Sequence, residues 1–150
     1  MADPGEPPRK TGTDEKIALP VLHVVAVALV DAEGRVLLAQ RPAGKAMAGL
    51  WEFPGGKLED GETAGKALIR ELGEELGIVI ELADLSLSAT AAHDYEDFRL
   101  HMPLYVCRRW QGTPHPREGQ ALAWVRPAAM DEYNMPPADR PLVERLKRQL

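Results

Sequence analysis

The apolar positions change period along the chain, and the changes mark out its elements. Residues 21–30 (VLHVVAVALV) form a nearly continuous, β-branched apolar run, and residues 35–40 repeat the pattern after the turn Asp31-Ala32-Glu33-Gly34. Together they predict two strands of a hairpin. A loop over 41–49 leads to a short strand at Leu50–Phe53. From 64 to 76 the period becomes helical: Leu68, Ile69, Leu72 and Leu76 line one stripe, Thr63 is placed to cap the start, and Gly77 suits a left-handed ending. Strands are expected at 78–87 and 98–108, with 89–94 leading into the second, and at 121–125; the Gly- and Pro-rich stretch 110–117 reads as a loop. A terminal helix is expected from Pro141 to about Gln149, with Arg145, Lys147 and Arg148 complementing its negative end. Strands mixed with two main helices predict an α+β fold, a sandwich around a mixed sheet.

The polar face of the helix at 64–76 carries chemistry. Glu71 stands three and four residues from Glu74 and Glu75, and all three lie toward the negative end of the helix dipole. Each like-charge pair costs roughly 0.2–0.5 kcal/mol, and each anion in the last turn loses a further ~0.3–1 kcal/mol. A solvated acidic face is the plain alternative, but such faces usually interleave a cation four residues away. Here the nearest cations are Lys66 and Arg70, and Arg70 is rotated off the acidic arc. The cluster therefore calls for a counter-ion. Oxygen-only ligands favour Mg²⁺, or Mn²⁺, over zinc, and Mg²⁺ completes its shell with water and substrate phosphates. A phosphorylated substrate is implied.

Composition narrows the classes. With 150 residues, 45% hydrophobic and 27% charged, the chain has material for one core. A net charge of −5 argues against a sequence-independent nucleic-acid binder, and no segment reaches the ~18 apolar residues of a membrane span. The single cysteine, Cys107, allows no internal disulfide and reads as a buried inert thiol; the four histidines show no paired metal-ligand spacing. The first sixteen residues lack the apolar stretch of a secretory signal. The expectation is a cytoplasmic monomer with a disordered tail at 1–16 and one domain at 17–150, with no stable nucleic-acid or membrane partner.

Gly56, Glu62 and the run Arg70-Glu71-Leu72-Gly73-Glu74-Glu75-Leu76-Gly77-Ile78 match every fixed position of the Nudix box. The chain thus resembles the Nudix hydrolases, which act on nucleoside diphosphates linked to another moiety. The similarity extends over about residues 21–149 and is closest to the MutT-type branch, which removes pyrophosphate from nucleoside triphosphates. It is carried by Val36-Leu37-Leu38-Ala39-Gln40-Arg41-Pro42, Gly49-Leu50-Trp51-Glu52-Phe53-Pro54-Gly55-Gly56-Lys57, Arg117-Glu118-Gly119-Gln120 and Pro136-Pro137-Ala138-Asp139-Arg140-Pro141.

The resemblance implies an α/β/α sandwich around a mixed sheet and a set of roles. Glu71, Glu74 and Glu75 would hold Mg²⁺, with the Gly55 carbonyl a further ligand. Glu71 is the first choice for the general base. Glu118 is the second, as the distant acid of the branch, set against a plain exposed loop glutamate. Arg41 would contact substrate phosphate, and Lys57 would either assist or stand exposed. Gly56, Glu62 and Arg70 would support the site, the last two by pairing with the box loop and the glutamates. Phe53 and Trp51 would either stack on the base or belong to the core.

Base selection turns on Asp139. Branch members selective for oxidised guanine carry asparagine there, whose amide both donates and accepts; an ionised aspartate only accepts, which would suit the N1–H and N2–H₂ edge of a guanine, while a protonated one could donate. Related triphosphatases with a Pro-Ala-Asp segment act on cytidine nucleotides. Asp139 could also cap the terminal helix. Three functions follow: a pyrophosphatase preferring 8-oxo-dGTP, one for cytidine or other triphosphates, and a Nudix-fold sensor without turnover. The intact glutamate set speaks against the last.

Overall fold

The computed structural model describes residues 19–150. The tail expected at 1–16 lies outside the described residues. In chain order the elements are β1 (Val21–Leu29), β2 (Val36–Gln40), β3 (Trp51–Glu52), β4 (Gly55–Lys57), α1 (Ala64–Leu76), β5 (Leu85–Asp94), β6 (Arg99–Cys107), β7 (Ala121–Val125) and α2 (Arg140–Gln149), with short 3₁₀ turns at Leu82–Asp84, Pro127–Glu132 and Pro137–Asp139. The strands form two sheets, ordered β4-β1-β6-β5 and β3-β2-β7. β1 runs parallel to β6 and antiparallel to β4, so the larger sheet is mixed.

β1 explains the arrangement. Its side chains alternate between two cores: Val25, Val27 and Leu29 pack with α1, while Ala26, Ala28 and Val30 share the opposite core with Leu142, Val143 and Leu146 of α2. A strand buried on both faces reads as a continuous apolar run. The expected mixed α+β sandwich is borne out, with one helix packed into each core.

Three local expectations are corrected. β1 and β2 do not form a hairpin; beyond the single bridge Val30↔Val36 they part into different sheets. β1 instead lies between β4 and β6, partners its own sequence does not name. The strand expected from Ile78 begins at Leu85, because Ile78 and Ile80 bury their side chains in the α1 core and the segment makes only the bridge Val79↔Gln111 before its 3₁₀ turn. The mixed sheet expected as one is two.

The helix at Ala64–Leu76 has the expected limits. The Thr63 hydroxyl oxygen accepts from the Lys66 N–H at 3.3 Å, and Gly77 at φ 70° turns its own N–H back to the Gly73 carbonyl. Leu68, Leu72 and Leu76 are fully buried, whereas Ile69 is only half-buried. Among the described residues no helix is long and apolar enough to cross a membrane. Replacing Leu72 with alanine should lower the unfolding free energy by about 2–5 kcal/mol in urea titrations, because the site is enclosed by both sheet and helix neighbours.

Candidate active site

β4 is where helix and sheet meet most closely. Ala26 pairs with Gly55 and Val25 with Gly56. A Cβ on Gly55, which has φ 152°, would overlap the Val25 carbonyl oxygen, and one on Gly56 would overlap the carboxylate of Glu71. Bare backbone at Gly55 lets β4 lie close against β1, and at Gly56 it lets α1 set the Glu71 carboxylate directly against the strand.

Arg70 organises the approach to that contact. Its Nε and a terminal nitrogen grip both oxygens of Glu62 at 2.8 and 2.9 Å, and it donates to the Lys57 carbonyl at 3.1 Å. Its other terminal nitrogen reaches Glu71 at 3.3 Å and Glu74 at 3.4 Å. The long arm brings to the acids a guanidinium that helical angle alone places off their arc. The Arg70 fork and the Glu59 N–H hold the Glu62 carboxyl down at a pKa of about 2.

The glutamates divide. Glu71 and Glu75 share a hydrogen bond, and Glu75 also accepts from the Gly55 N–H. Burial first, then Glu71 and the charge of Glu118, push the Glu75 carboxyl up to about 9. Glu74, its side chain 55% exposed, pairs with Arg70. Glu118 joins the cluster because its loop is tied to the end of α1: the Gln120 amide donates to the Glu75 carbonyl at 3.1 Å, and the Arg117 guanidinium to the Gly73 carbonyl at 3.0 Å. Among the described residues no three acids or histidines are already converged on a metal position. A half-buried, hydrogen-bonded pair of carboxyls, with a third nearby and only oxygen donors, nevertheless fits a hard divalent cation.

Two cavities of about 170 Å³ each flank this contact. One is polar, with Gly55, Glu75, Glu118, Gln120 and Lys45 in its walls. The other is largely apolar, walled by Leu22, Val24, Phe98, Leu100 and Met102, with Lys57 and Asp139 at its edge. Arg41 and Glu52 line both. Arg41 Nε lies 3.1 Å from Glu52 but is buried without a well-aligned hydrogen bond, and a terminal nitrogen donates to the Ala46 carbonyl at 3.3 Å. Burial raises the Glu52 carboxyl despite its Arg41 partner.

Asp139 does not cap α2: it has helical backbone and makes no side-chain capping bond. Instead it is 4% exposed and accepts from the Phe53 N–H; burial, then the charge of Glu52, lifts its carboxyl to about 7. The Phe53 ring itself is in the core and lines neither cavity, and Trp51 packs edge-on against Tyr133 at 5.2 Å. The sequence reading passed over Glu52 and Gln120. Alternation in β3 carried a signal for Glu52, since Trp51 and Phe53 share one face and the acid between them must take the other.

A family model described as "NUDIX domain" matches residues 25–145. The chain is 41% identical over 126 residues to a CTP pyrophosphohydrolase of Escherichia coli (strain K12), covering 83% of this chain and 90% of that protein. It is 34% identical over 125 residues to an 8-oxo-dGTP diphosphatase of the same organism, covering 83% and 95%. A solved MutT structure, from a study of the Aliivibrio salmonicida and Vibrio cholerae proteins, superposes with a TM-score of 0.74 at 33% identity, covering 87% of this chain and 99% of that one.

The raised carboxyls set a pH dependence. An acid whose folded pKa lies above its unfolded value favours folding through its bound proton, so metal-free protein should lose stability as pH rises between the two values. For Asp139 the window runs from the model-compound 3.8 to about 7, and for Glu75 from 4.5 to about 9. Above pH 7 Glu75 is the remaining contributor, at no more than about 1.4 kcal/mol per pH unit. Thermal melts of metal-free Glu75→Gln should therefore be flatter than wild type between pH 7 and 9.

Proposed function

The chain belongs to the NUDIX family of hydrolases, and from that premise we propose that it is a nucleoside triphosphate pyrophosphohydrolase with 8-oxo-dGTP as its preferred substrate. The observation that carries this reading is the pair of cavities: a polar one beside the carboxylate cluster, suited to phosphates and a cation, and an apolar one lined by the buried Asp139 carboxyl, suited to a base. Arg41 lines both. We assign Mg²⁺ as the working metal, with Mn²⁺ taking the same oxygen donors. The net charge of −5 supports free nucleotides rather than nucleic acid as the substrate. One chain supplies both cavities, which supports a monomer, and we assign it to the cytoplasm.

The donors for the cation are Glu71, Glu75 and Glu118 with the Gly55 carbonyl, and Glu74 joins them if its side chain leaves Arg70. When bound, the divalent ion neutralises the triphosphate and lowers the pKa of the attacking water. Glu71 takes the proton of that water as its oxygen bonds to phosphorus and the bridging oxygen between the α- and β-phosphates departs, giving monophosphate and pyrophosphate. Glu118 is the alternative base. The Arg70 fork on Glu62 keeps Glu71 aimed over Gly56, so both are positioning residues. Arg41, with Lys57, offers positive charge to the phosphates.

A second reading is favoured by a specific observation: a carboxyl, not an amide, stands at Asp139, and the CTP pyrophosphohydrolase relative is 41% identical. Ionised, Asp139 only accepts, either from the amino group of cytosine or from the N1–H and N2–H₂ edge of a guanine. Protonated, it donates and accepts side by side, as an amide does. With its pKa at about 7, both forms are present at neutral pH.

The decisive assay compares kcat/KM for 8-oxo-dGTP, dGTP and dCTP with Mg²⁺, using Glu71→Gln as the blank. Preference for 8-oxo-dGTP supports the leading reading, preference for dCTP moves the enzyme to the cytidine group, and no turnover of any restores the sensor reading. Near-normal kcat in Glu71→Gln would remove Glu71 from the catalytic role.

The ratio of kcat/KM for 8-oxo-dGTP over dCTP should also change as pH passes through 7, where Asp139 gains or loses its proton, by up to roughly ten-fold between pH 6 and 8. Asp139→Asn should make that ratio independent of pH. A ratio already flat in the wild type would separate Asp139 from base choice.

A further inference from the structure

Met47 has the one positive φ, 58°, among non-glycine residues in the described part of the chain. Methionine enters this left-handed region only where its surroundings hold it, and such residues gather where a ligand is gripped. Its side chain lines the apolar cavity opposite Phe98, Leu100 and Asp139, yet Met47 is 42% exposed. A long, unbranched apolar side chain is thus left half in water on a cavity whose other apolar lining residues are buried or half-buried.

The backbone around it is latched at several points. Gly49 donates to the Arg41 carbonyl at 3.0 Å, Gln40 Nε2 to the Gly49 carbonyl at 3.0 Å, and the Arg41 guanidinium to the Ala46 carbonyl at 3.3 Å. Gly44 and Gly49, at φ 87° and 86°, bracket the segment with positions where the chain can turn freely. Arg41 also lines the polar cavity, so the side chain assigned to phosphate is the one that holds the carbonyl just before Met47.

We propose that Met47 is a specificity-determining residue, forming the adjustable wall of the cavity that takes the nucleobase, with Arg41 tying that wall to the phosphates. The inference rests on the nucleoside triphosphate reading above. An unbranched thioether adapts to a flat polarizable ring without demanding one outline, and the contact covers apolar surface that is exposed in the free protein. Asp139 reads the polar edge of the base; Met47 sets how tightly its face is enclosed.

Met47→Gly tests this without endangering the fold, since glycine accepts φ 58° freely. Steady-state kinetics would compare the preferred nucleoside triphosphate with an abasic deoxyribose 5′-triphosphate carrying the same phosphates. Met47→Gly should raise KM for the nucleotide roughly ten-fold, the scale of one lost apolar contact, and narrow the discrimination between bases. The abasic compound should be turned over as by wild type, and Met47→Leu should restore most of the base-dependent affinity. An equal loss on both compounds would assign Met47 to the phosphate loop and overturn the proposal, as would unchanged discrimination in Met47→Gly. Wild-type turnover with unchanged discrimination would sink this inference alone; no turnover of any triphosphate by the wild type would remove the function reading with it.

Discussion

The close approach of α1 to the Gly55-Gly56 strand is the constraint on which the rest depends. No side chain fits between strand and helix at Gly56 or between β4 and β1 at Gly55; the carboxyl of Glu71 therefore rests on backbone, and that of Glu75 takes a backbone N–H. Packing drives this approach. Leu68, Leu72 and Leu76 are each fully buried, contributing roughly 1.5–3 kcal/mol apiece. The like-charge pairs they bring together cost only about 0.2–0.5 kcal/mol each when exposed. The apolar stripe therefore decides where the helix lies, and the acids are carried into place with it.

A half-buried charge pair organises the other half of the site. The Arg41–Glu52 pair stands between the polar and apolar cavities, with Arg41 Nε incompletely satisfied and Glu52 raised by burial. Both side chains are only half-buried, at 38% and 31% exposed, so the pair contributes little to stability. Here the pair fixes a positive charge where one cavity opens toward the other, and an incompletely bonded guanidinium retains capacity for an anionic ligand. The same side chain secures the loop that carries Met47. On the proposed reading, phosphate recognition and base enclosure share one residue.

What was legible in the sequence was local. The cap at Thr63, the leucine stripe and the turn at Gly77 act within a few residues of one another, so the helix at 64–76 could be read to its ends. The pairing of β1 could not, because strand, turn and strand look alike whether or not the two strands pair. Its choice of β6 and β4 depends on Ala26 and Ala28 facing a core assembled from the far end of the chain. Glu118 was visible as an acid in a loop, but its approach to Glu75 depends on Gln120 and Arg117 reaching back to α1. Asp139 could be read as cap or as site residue, and the structure removes the cap, since its buried carboxyl turns to the Phe53 backbone instead.

The charge of the site follows the same division between local and tertiary information. Counting carboxylates along the sequence gives a strongly negative cleft, a poor host for a triphosphate. In the folded chain Glu62 and Glu74 are met by Arg70, Glu75 keeps its proton up to about 9, and Asp139 is half-neutral near 7. Two of these acids are thus balanced by guanidinium and two by protons, while Arg41 faces both cavities. On the proposed reading, Glu75 would help hold the divalent cation, and giving up its proton to do so would spare the site from carrying every carboxylate charged beforehand. The burial that makes these acids costly as anions is what lets an acidic protein receive a polyanion.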